Sequence, residues 1–293
     1  MEHLNQLASC PVCEHTETSN HLVLKDWMIT KETFTIVRCT NCGFHFTNPI
    51  PAENVIGNYY KSEEYVSHSS SNKGLINRVY NIVRNYTLKQ KVTLLGRYTK
   101  GKSILEVGSG TGHFLNAAKL SGYQVEGLEP DSDARNFAQS NFNITLQTLD
   151  HLTSIPTNSK DIVTMWHVLE HVYQLKRDLN EIVRTMKSGG VFFIAVPNMS
   201  SWDAQHYKEY WAAYDVPRHL YHFQENTIKK LIETFGLVHK DTLPMKFDSY
   251  YVSMLSEKYK GGSALQGIIN GLKSNLQASK FGYSSQIYVF VKE

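Results

Sequence analysis

The sequence predicts an α/β fold, a doubly wound parallel sheet preceded by a small cysteine-held module. Three observations predict it. From Lys102 onward, short apolar runs alternate with helical patterns; three glycines follow the first of those runs, in "ILEVGSGTGHFL" (residues 104–115); and all four cysteines fall in the first 42 residues, as Cys10-x-x-Cys13 and Cys39-x-x-Cys42. Alternation of this kind implies right-handed βαβ units, whose strands lie parallel and whose helices cover both faces.

Bulk properties narrow the class. The 293 residues are 41% hydrophobic and 12% aromatic, enough for one large packed domain with an attachment. No apolar run approaches the roughly 18 to 20 residues of a membrane span, and the start, "MEHLNQLASCPVC", lacks the basic and apolar regions of a signal peptide. A soluble cytoplasmic protein is expected. The formal charge of +3 is unevenly distributed: residues 1–60 hold three cations against six acids, whereas residues 61–100 hold eight cations against Glu63 and Glu64.

In chain order, the first element is the cysteine module, residues 1–50. Two CxxC knuckles place four thiolates around one tetrahedral Zn²⁺, and the alternation in "ETFTIVRC" suits a strand leading into the second knuckle. Disulfides are disfavoured by a reducing cytoplasm. A closed site of Cys10, Cys13, Cys39 and Cys42 is expected to hold the fold and not to do chemistry. Residues 51–74, polar and Ser-rich, form either a linker or a lid in which Tyr60, Tyr65 and His68 cover the site. From Leu75 to Tyr98, apolar residues recur at helical spacing among Arg78, Arg84, Lys89 and Lys91. That helix exposes a solvated basic face, an approach surface for an anionic substrate, or a membrane-facing surface. Then come the strands "SILEVGS", "YQVEGLEP", "ITLQTL", "DIVTMWHV" and "GVFFIAVP", with "VHKDTL" and "SQIYVFVK" as an edge hairpin.

The glycines suggest the ligand. Gly108, Gly110 and Gly112 sit after the first strand, where a doubly wound sheet binds its ligand, and without Cβ atoms they let it lie against the main chain. Their G-x-G-x-G spacing is not the dinucleotide fingerprint. Glu106 faces the same crevice, where it repels a pyrophosphate but welcomes a cation, and Glu129 ends the second strand, where a carboxylate accepts ribose hydroxyls. An adenosine-bearing cation, S-adenosylmethionine, meets both demands.

"EVGSGTG", "GLEPD", "WHVLEH" and "MKSGGVFFIAVPN", in that order, resemble the class I S-adenosylmethionine-dependent methyltransferases over residues 75–293. The resemblance implies a seven-stranded sheet of order 3-2-1-4-5-7-6 with the last strand antiparallel. It implies a cofactor held by Glu106, Gly108, Gly110 and Gly112, by Glu129 at the ribose, by Thr148, Leu149 and Asp150 at the adenine, and by His167 near the methionine end.

Methyl transfer to oxygen or carbon also needs a base, and an imidazole titrating near neutrality suits it. The ribbon-then-methyltransferase order is similar to that of sugar C-methyltransferases acting on nucleotide-linked deoxysugars, whose Tyr-His-Glu-His segment ends in a catalytic His. Aligned on the trailing aromatics, "VPRHLYHF" places that His at His219, with Val216 and Arg218 departing from the pattern at the Tyr and Glu positions. Arg218 then suggests a planar fork for a carboxylate or phosphate on the substrate. "WHVLEH" is also similar to a Glu-Glu-His metal site of ubiquinone-pathway O-methyltransferases, with His167 in place of the first Glu, so His167, Glu170 and His171 either bind a divalent ion or orient the loop.

The reading is therefore a methyltransferase acting on a small or carrier-linked polar acceptor, a sugar or related metabolite, with His219 as base. A noncatalytic cofactor-binding scaffold whose ribbon recruits a partner is the rival of another class. A nucleic-acid methyltransferase is disfavoured, because phosphate binding needs concentrated cations and the ribbon is acidic.

Overall fold

The computed structural model describes residues 4–60 and 75–293. Tyr65 and His68 of the expected linker or lid lie outside the described residues. The N-terminal part contributes β1 (Leu4–Asn5), β2 (Thr18–Lys25), β3 (Thr33–Cys39), β4 (His45–Thr47) and β5 (Ile50–Pro51). The basic helix α1 spans Leu75–Tyr98, as its spacing predicts.

The main sheet follows. Its strands are β6 (Ser103–Val107), β7 (Gln124–Leu128), β8 (Lys160–Trp166) and β9 (Met186–Pro197), then β11 (Leu237–Pro244) and β12 (Ser285–Lys292). They stand in the order β11-β12-β9-β8-β6-β7, with β12 antiparallel to both neighbours. The sheet has six strands and not seven: "ITLQTL", expected as a third strand, contributes one isolated parallel bridge, Leu128 to Gln147. Ile144 and Leu146 still point inward there, so the segment packs like a strand without building a ladder. The expected hairpin is also different. β11 and β12 do pair, but residues 245–284 intervene and fold as α7 (Asp248–Lys260), α8 (Ala264–Leu276) and α9 (Ala278–Phe281).

Burial explains the centre of this sheet. Val191 to Pro197 of β9 are buried throughout, as a strand covered on both faces must be. Around it lie α2 (His113–Leu120), α3 (Ser132–Phe142), α4 (Leu175–Thr185), α5 (Trp202–Tyr207) and α6 (Glu225–Glu233). In α4, Leu175, Leu179 and Ile182 recur on one face and are buried. Asp131 caps α3 by accepting from the Ala134 amide at 2.7 Å.

The cysteine module does not stand apart. Its sheet has the order β10-β4-β3-β2, and β10 is Tyr221–His222, far along the chain. Tyr221 faces Phe46 and His222 faces His45 across an antiparallel pair. One apolar core runs from Cys10, Phe44 and Phe46 through Tyr221 and Phe223 to Phe192 and Tyr288. Strand β5 straddles residue 50 and pairs with β1, and the packing continues across it.

Candidate active site

At the mouth of β6 the three glycines take positive φ for two different reasons. A Cβ on Gly108 (φ +73°) would meet Val168 Cγ2 at 2.4 Å, and one on Gly112 (φ +76°) would meet Ala138 Cβ at 2.9 Å, whereas one on Gly110 (φ +50°) would meet nothing within 4 Å among the described residues. Gly108 and Gly112 let protein approach protein; Gly110 leaves a face of main chain open.

Two carboxylates frame that opening. Glu106 is 2% exposed, and its Oε2 has no hydrogen-bond partner among the described residues. Burial holds its pKa well above the usual carboxylate range, although the nearby Lys91 ammonium pulls the other way. A buried, unpartnered carboxylate is a strong demand for a donor or a cation. Glu129 is better supplied, since Oε2 accepts the Gly110 amide at 2.7 Å and Oε1 the Asp131 amide at 3.0 Å. Each oxygen keeps a second lone pair for a ligand hydroxyl. Thr148, Leu149 and Asp150 follow the Gln147 bridge, next to Glu129 in the sheet, and all three are exposed. Leu149 offers an apolar surface there; Asp150 has its pKa lowered by a hydrogen bond from Thr148.

Sequence reasoning missed Lys91. It leaves the basic face of α1 and lies over the Trp166 ring, 4.3 Å from its centroid, within electrostatic reach of Glu106 and Asp248. Burial lowers its pKa and the two carboxylates raise it. Among the four cations expected on a solvated helix face, it is turned to the crevice.

Beyond β8 the chain breaks sharply at His167, whose φ is +58°. Its Nε2 lies 3.0 Å from Asp248 Oδ2, on α7, and its Nδ1 lies 3.4 Å from Glu170. Burial alone would disfavour the imidazolium, but Asp248 and Glu170 outweigh it and raise the pKa to about 9. Asp248 was not legible as a site residue, because 81 positions separate it from its partner.

A second cluster lies one turn on. Glu170, His171 and His219 bring one ligand atom each to within 4.8 Å of one another. This regroups the sequence expectation, because His219 joins Glu170 and His171, while His167 pairs with Asp248. Glu170 is fully buried and its oxygens lack a well-formed hydrogen bond. His171 Nδ1 lies 2.9 Å from the Arg218 carbonyl and His219 Nδ1 2.9 Å from the Ala213 carbonyl. A carbonyl can only accept, so both Nδ1 atoms carry protons, and in the neutral ring Nε2 keeps the lone pair. Burial and the neighbouring His219 push the His171 pKa down to about 4. Tyr60 reaches the same place, its hydroxyl 3.0 Å from His171 Nδ1.

Arg218 is turned into the protein. Its side chain is buried; Nε and Nη2 bind Asp215, Nη2 also binds Asp26 at 3.1 Å, and Nη1 donates to the Tyr59 carbonyl at 2.8 Å. Its fork is consumed by protein acceptors, so the expected substrate anchor is instead a clamp between the His219 loop and the N-terminal module. Asp26 completes that clamp, accepting the amides of Met28, Ile29 and Thr30 as well. Thr47 tightens it from β4, donating to the His219 carbonyl at 2.9 Å.

The four cysteines are free thiols that converge, with Cys10 Sγ 3.6 Å from Cys42 Sγ and Cys13 Sγ 3.5 Å from Cys39 Sγ. Backbone amides point at three of the sulfurs, those of Val12 and Cys13 at Cys10, of His15 at Cys13, and of Phe44 at Cys42. Among the described residues no helix is long and apolar enough to cross a membrane.

Comparisons with known proteins agree with this architecture. Residues 80–239 match the family model described as "Methyltransferase domain". A Mycolicibacterium smegmatis protein described as a probable S-adenosylmethionine-dependent methyltransferase is 26% identical over 172 residues, covering 57% of this chain and 63% of that one. The ubiquinone biosynthesis O-methyltransferase of Coxiella burnetii is 32% identical over 125 residues, covering 40% of this chain and 51% of that one. The chain thus spans between half and two thirds of the length of these relatives. In fold it is similar to the magnesium protoporphyrin IX methyltransferase of Synechocystis PCC 6803, solved with bound SAH, at a TM-score of 0.55 and 14% identity over 83% of this chain and all of that one. The matched span contains the glycine loop, both crevice carboxylates and the His219 loop, and the chain belongs to the methyltransferase domain family, with the class I fold of the S-adenosylmethionine-dependent enzymes.

Proposed function

We propose that the chain transfers a methyl group from S-adenosylmethionine to a small or carrier-linked polar acceptor, a sugar or related metabolite, with His219 as general base. The observation that carries this reading is the pairing of an open main-chain face at Gly110 with the buried, unpartnered carboxylate of Glu106. A ligand that fills both must be flat against the backbone and cationic, as the amino-acid end of S-adenosylmethionine is. Glu129 then receives the ribose and Leu149 the adenine face, with Thr148 and Asp150 beside it. When bound, the sulfonium supplies an electrophilic methyl group for in-line displacement.

The chain's own part is orientation and proton removal. The Ala213 carbonyl fixes the His219 tautomer so that Nε2 can take a proton from an acceptor hydroxyl. Glu170, negative and buried beside it, stabilises the imidazolium that results; its pKa is held low by His167 and the other imidazoles against the raising effect of burial. His167 and Asp248 close the cofactor side.

The thiolates of Cys10, Cys13, Cys39 and Cys42 suit a structural Zn²⁺. A tetrahedron with bonds of about 2.3 Å has sulfur–sulfur edges of about 3.8 Å, close to the spacing here. Such an ion has no open position and serves to fix β3 and β4 against the His219 loop.

The test begins with a panel of polar acceptors, sugar nucleotides among them, and labelled S-adenosylmethionine. With an acceptor found, His219→Ala should lower turnover at least about 100-fold, within the usual range for a lost general base, and change cofactor Kd less than about two-fold. Near-normal turnover would remove His219 from the mechanism.

A further inference from the structure

The C-terminal helix α8 is inside out. Its buried residues are Gly267, Asn270, Gly271 and Ser274, while Leu265, Ile268, Ile269, Leu272 and Leu276 are exposed, Leu276 to 71%. These five recur at i, i+3, i+4, i+7 and i+11, so they form one stripe on the side opposite the packed one. The orientation is fixed by contact. A Cβ on Gly267 would stand 2.5 Å from Met254 Cα, and one on Gly271 2.7 Å from Tyr250 Cα, so the α7 and α8 backbones touch through these glycines. Asn270 adds hydrogen bonds to Tyr207 and Glu257. Rotating α8 to bury its leucines would forfeit all of this.

Phe247 and Tyr251, at the start of α7, are exposed rings, and Tyr86 of α1 packs edge-on against Phe247.

Charge identifies the occupant. Residues 245–283 carry Lys246, Lys258, Lys260, Lys273 and Lys280, all exposed. The only two acids of the segment are turned inward, Asp248 to His167 and Glu257 to Tyr207 and Asn270. Two copies of this chain meeting on the stripe would bring two lysine sets together with no exposed acid of residues 245–283 between them. An anionic lipid headgroup layer instead offers hydrocarbon to the stripe and phosphate to the lysines.

We propose that α8 lies in the surface of an anionic lipid bilayer and docks the protein there. Because α7 carries both Asp248, at the methyl-transfer crevice, and the glycine contacts of α8, docking sets the crevice beside the lipid surface. Lipid binding itself needs neither cofactor nor acceptor, so its test is independent of the catalytic reading.

The experiment is co-sedimentation of the full chain with vesicles of phosphatidylcholine alone and of phosphatidylcholine with phosphatidylglycerol. Wild type should pellet with the anionic vesicles and much less with the neutral ones. Ile268→Ser with Leu272→Ser should weaken partitioning more than about ten-fold, and each of Lys260→Gln and Lys273→Gln about five-fold at low salt. The lysine variants keep the test valid should the serine pair disturb folding. Equal pelleting with both vesicle types, or none, would overturn the proposal. So would a concentration-dependent dimer in sedimentation velocity that the serine pair abolishes, which would assign the stripe to a second copy.

Discussion

The cofactor crevice and the His219 loop both bury charge, and they do so in opposite ways. In the crevice, Glu106 is buried with an oxygen left without a partner, beside a glycine whose missing side chain leaves open space. In the loop, Arg218 is buried with its fork spent on Asp215, Asp26 and Tyr59. An unsatisfied buried group raises the free energy of the empty protein and is relieved by a ligand; a satisfied one holds architecture. The difference supports the proposed cofactor space on one side, and on the other it leaves the Arg218 fork occupied by protein acceptors beside the proposed base, His219.

The largest expected effect lies in the loop. Arg218→Met leaves Asp26 and Asp215 facing a methionine, and removing one partner of a buried pair costs about 3–5 kcal/mol. Denaturant unfolding should show that loss as a lower midpoint, and the His219 loop should exchange its amides faster. A variant as stable as wild type, yet poor in acceptor binding, would restore Arg218 as a substrate anchor and erase the contrast.

The glycines sharpen the comparison at intermediate scale. Gly108→Ala pushes a methyl into Val168 and should cost about 1–3 kcal/mol of stability through overpacking, on top of the left-handed strain that it shares with Gly110. Gly110→Ala meets no protein atom, so it should cost only the roughly 1–2 kcal/mol of a non-glycine residue in left-handed backbone. Its Cβ projects into the proposed cofactor space, however, and S-adenosylmethionine affinity by calorimetry should fall at least about ten-fold, against the usual 1.4 kcal/mol per decade. Equal cofactor affinity in Gly110→Ala and wild type would mean that the open face is not where the ligand lies.

These differences also show what could be read from the chain. The glycine loop was legible because its chemistry is local, three glycines and a glutamate within seven residues; so were the cysteine knuckles and α1. The clamp was not, because Arg218 meets Asp26 from 192 positions away, and the same composition fits a substrate fork equally well. Lys91 looked like one more solvated cation of an amphipathic helix, since a one-residue shift in facing cannot be read from spacing that is only mostly regular. The third strand shrank to a bridge because alternating apolar residues report burial, not hydrogen bonding. Helices α7 to α9 were not legible, because an apolar stripe at helical spacing implies a face turned to a core, and α8 faces its apolar residues outward.

A pH-dependent effect joins the two regions through His167, which stands between Asp248 of the crevice wall and Glu170 of the His219 cluster. Its pKa rises from the ordinary 6.5 to about 9 in the folded chain, the two carboxylates overcoming burial. The folded state therefore binds this proton more tightly than the unfolded one. The resulting stability is fully present below about pH 6.5 and is lost as pH rises through about 9. Thermal midpoints measured from pH 6 to pH 10 should fall over that window more steeply in wild type than in His167→Gln, whose amide cannot titrate. The difference between the two curves isolates His167 from every other group that changes charge in the range. Parallel curves would mean that Asp248 and Glu170 do not share a proton-bearing imidazole, and that the crevice and the loop are joined by packing alone.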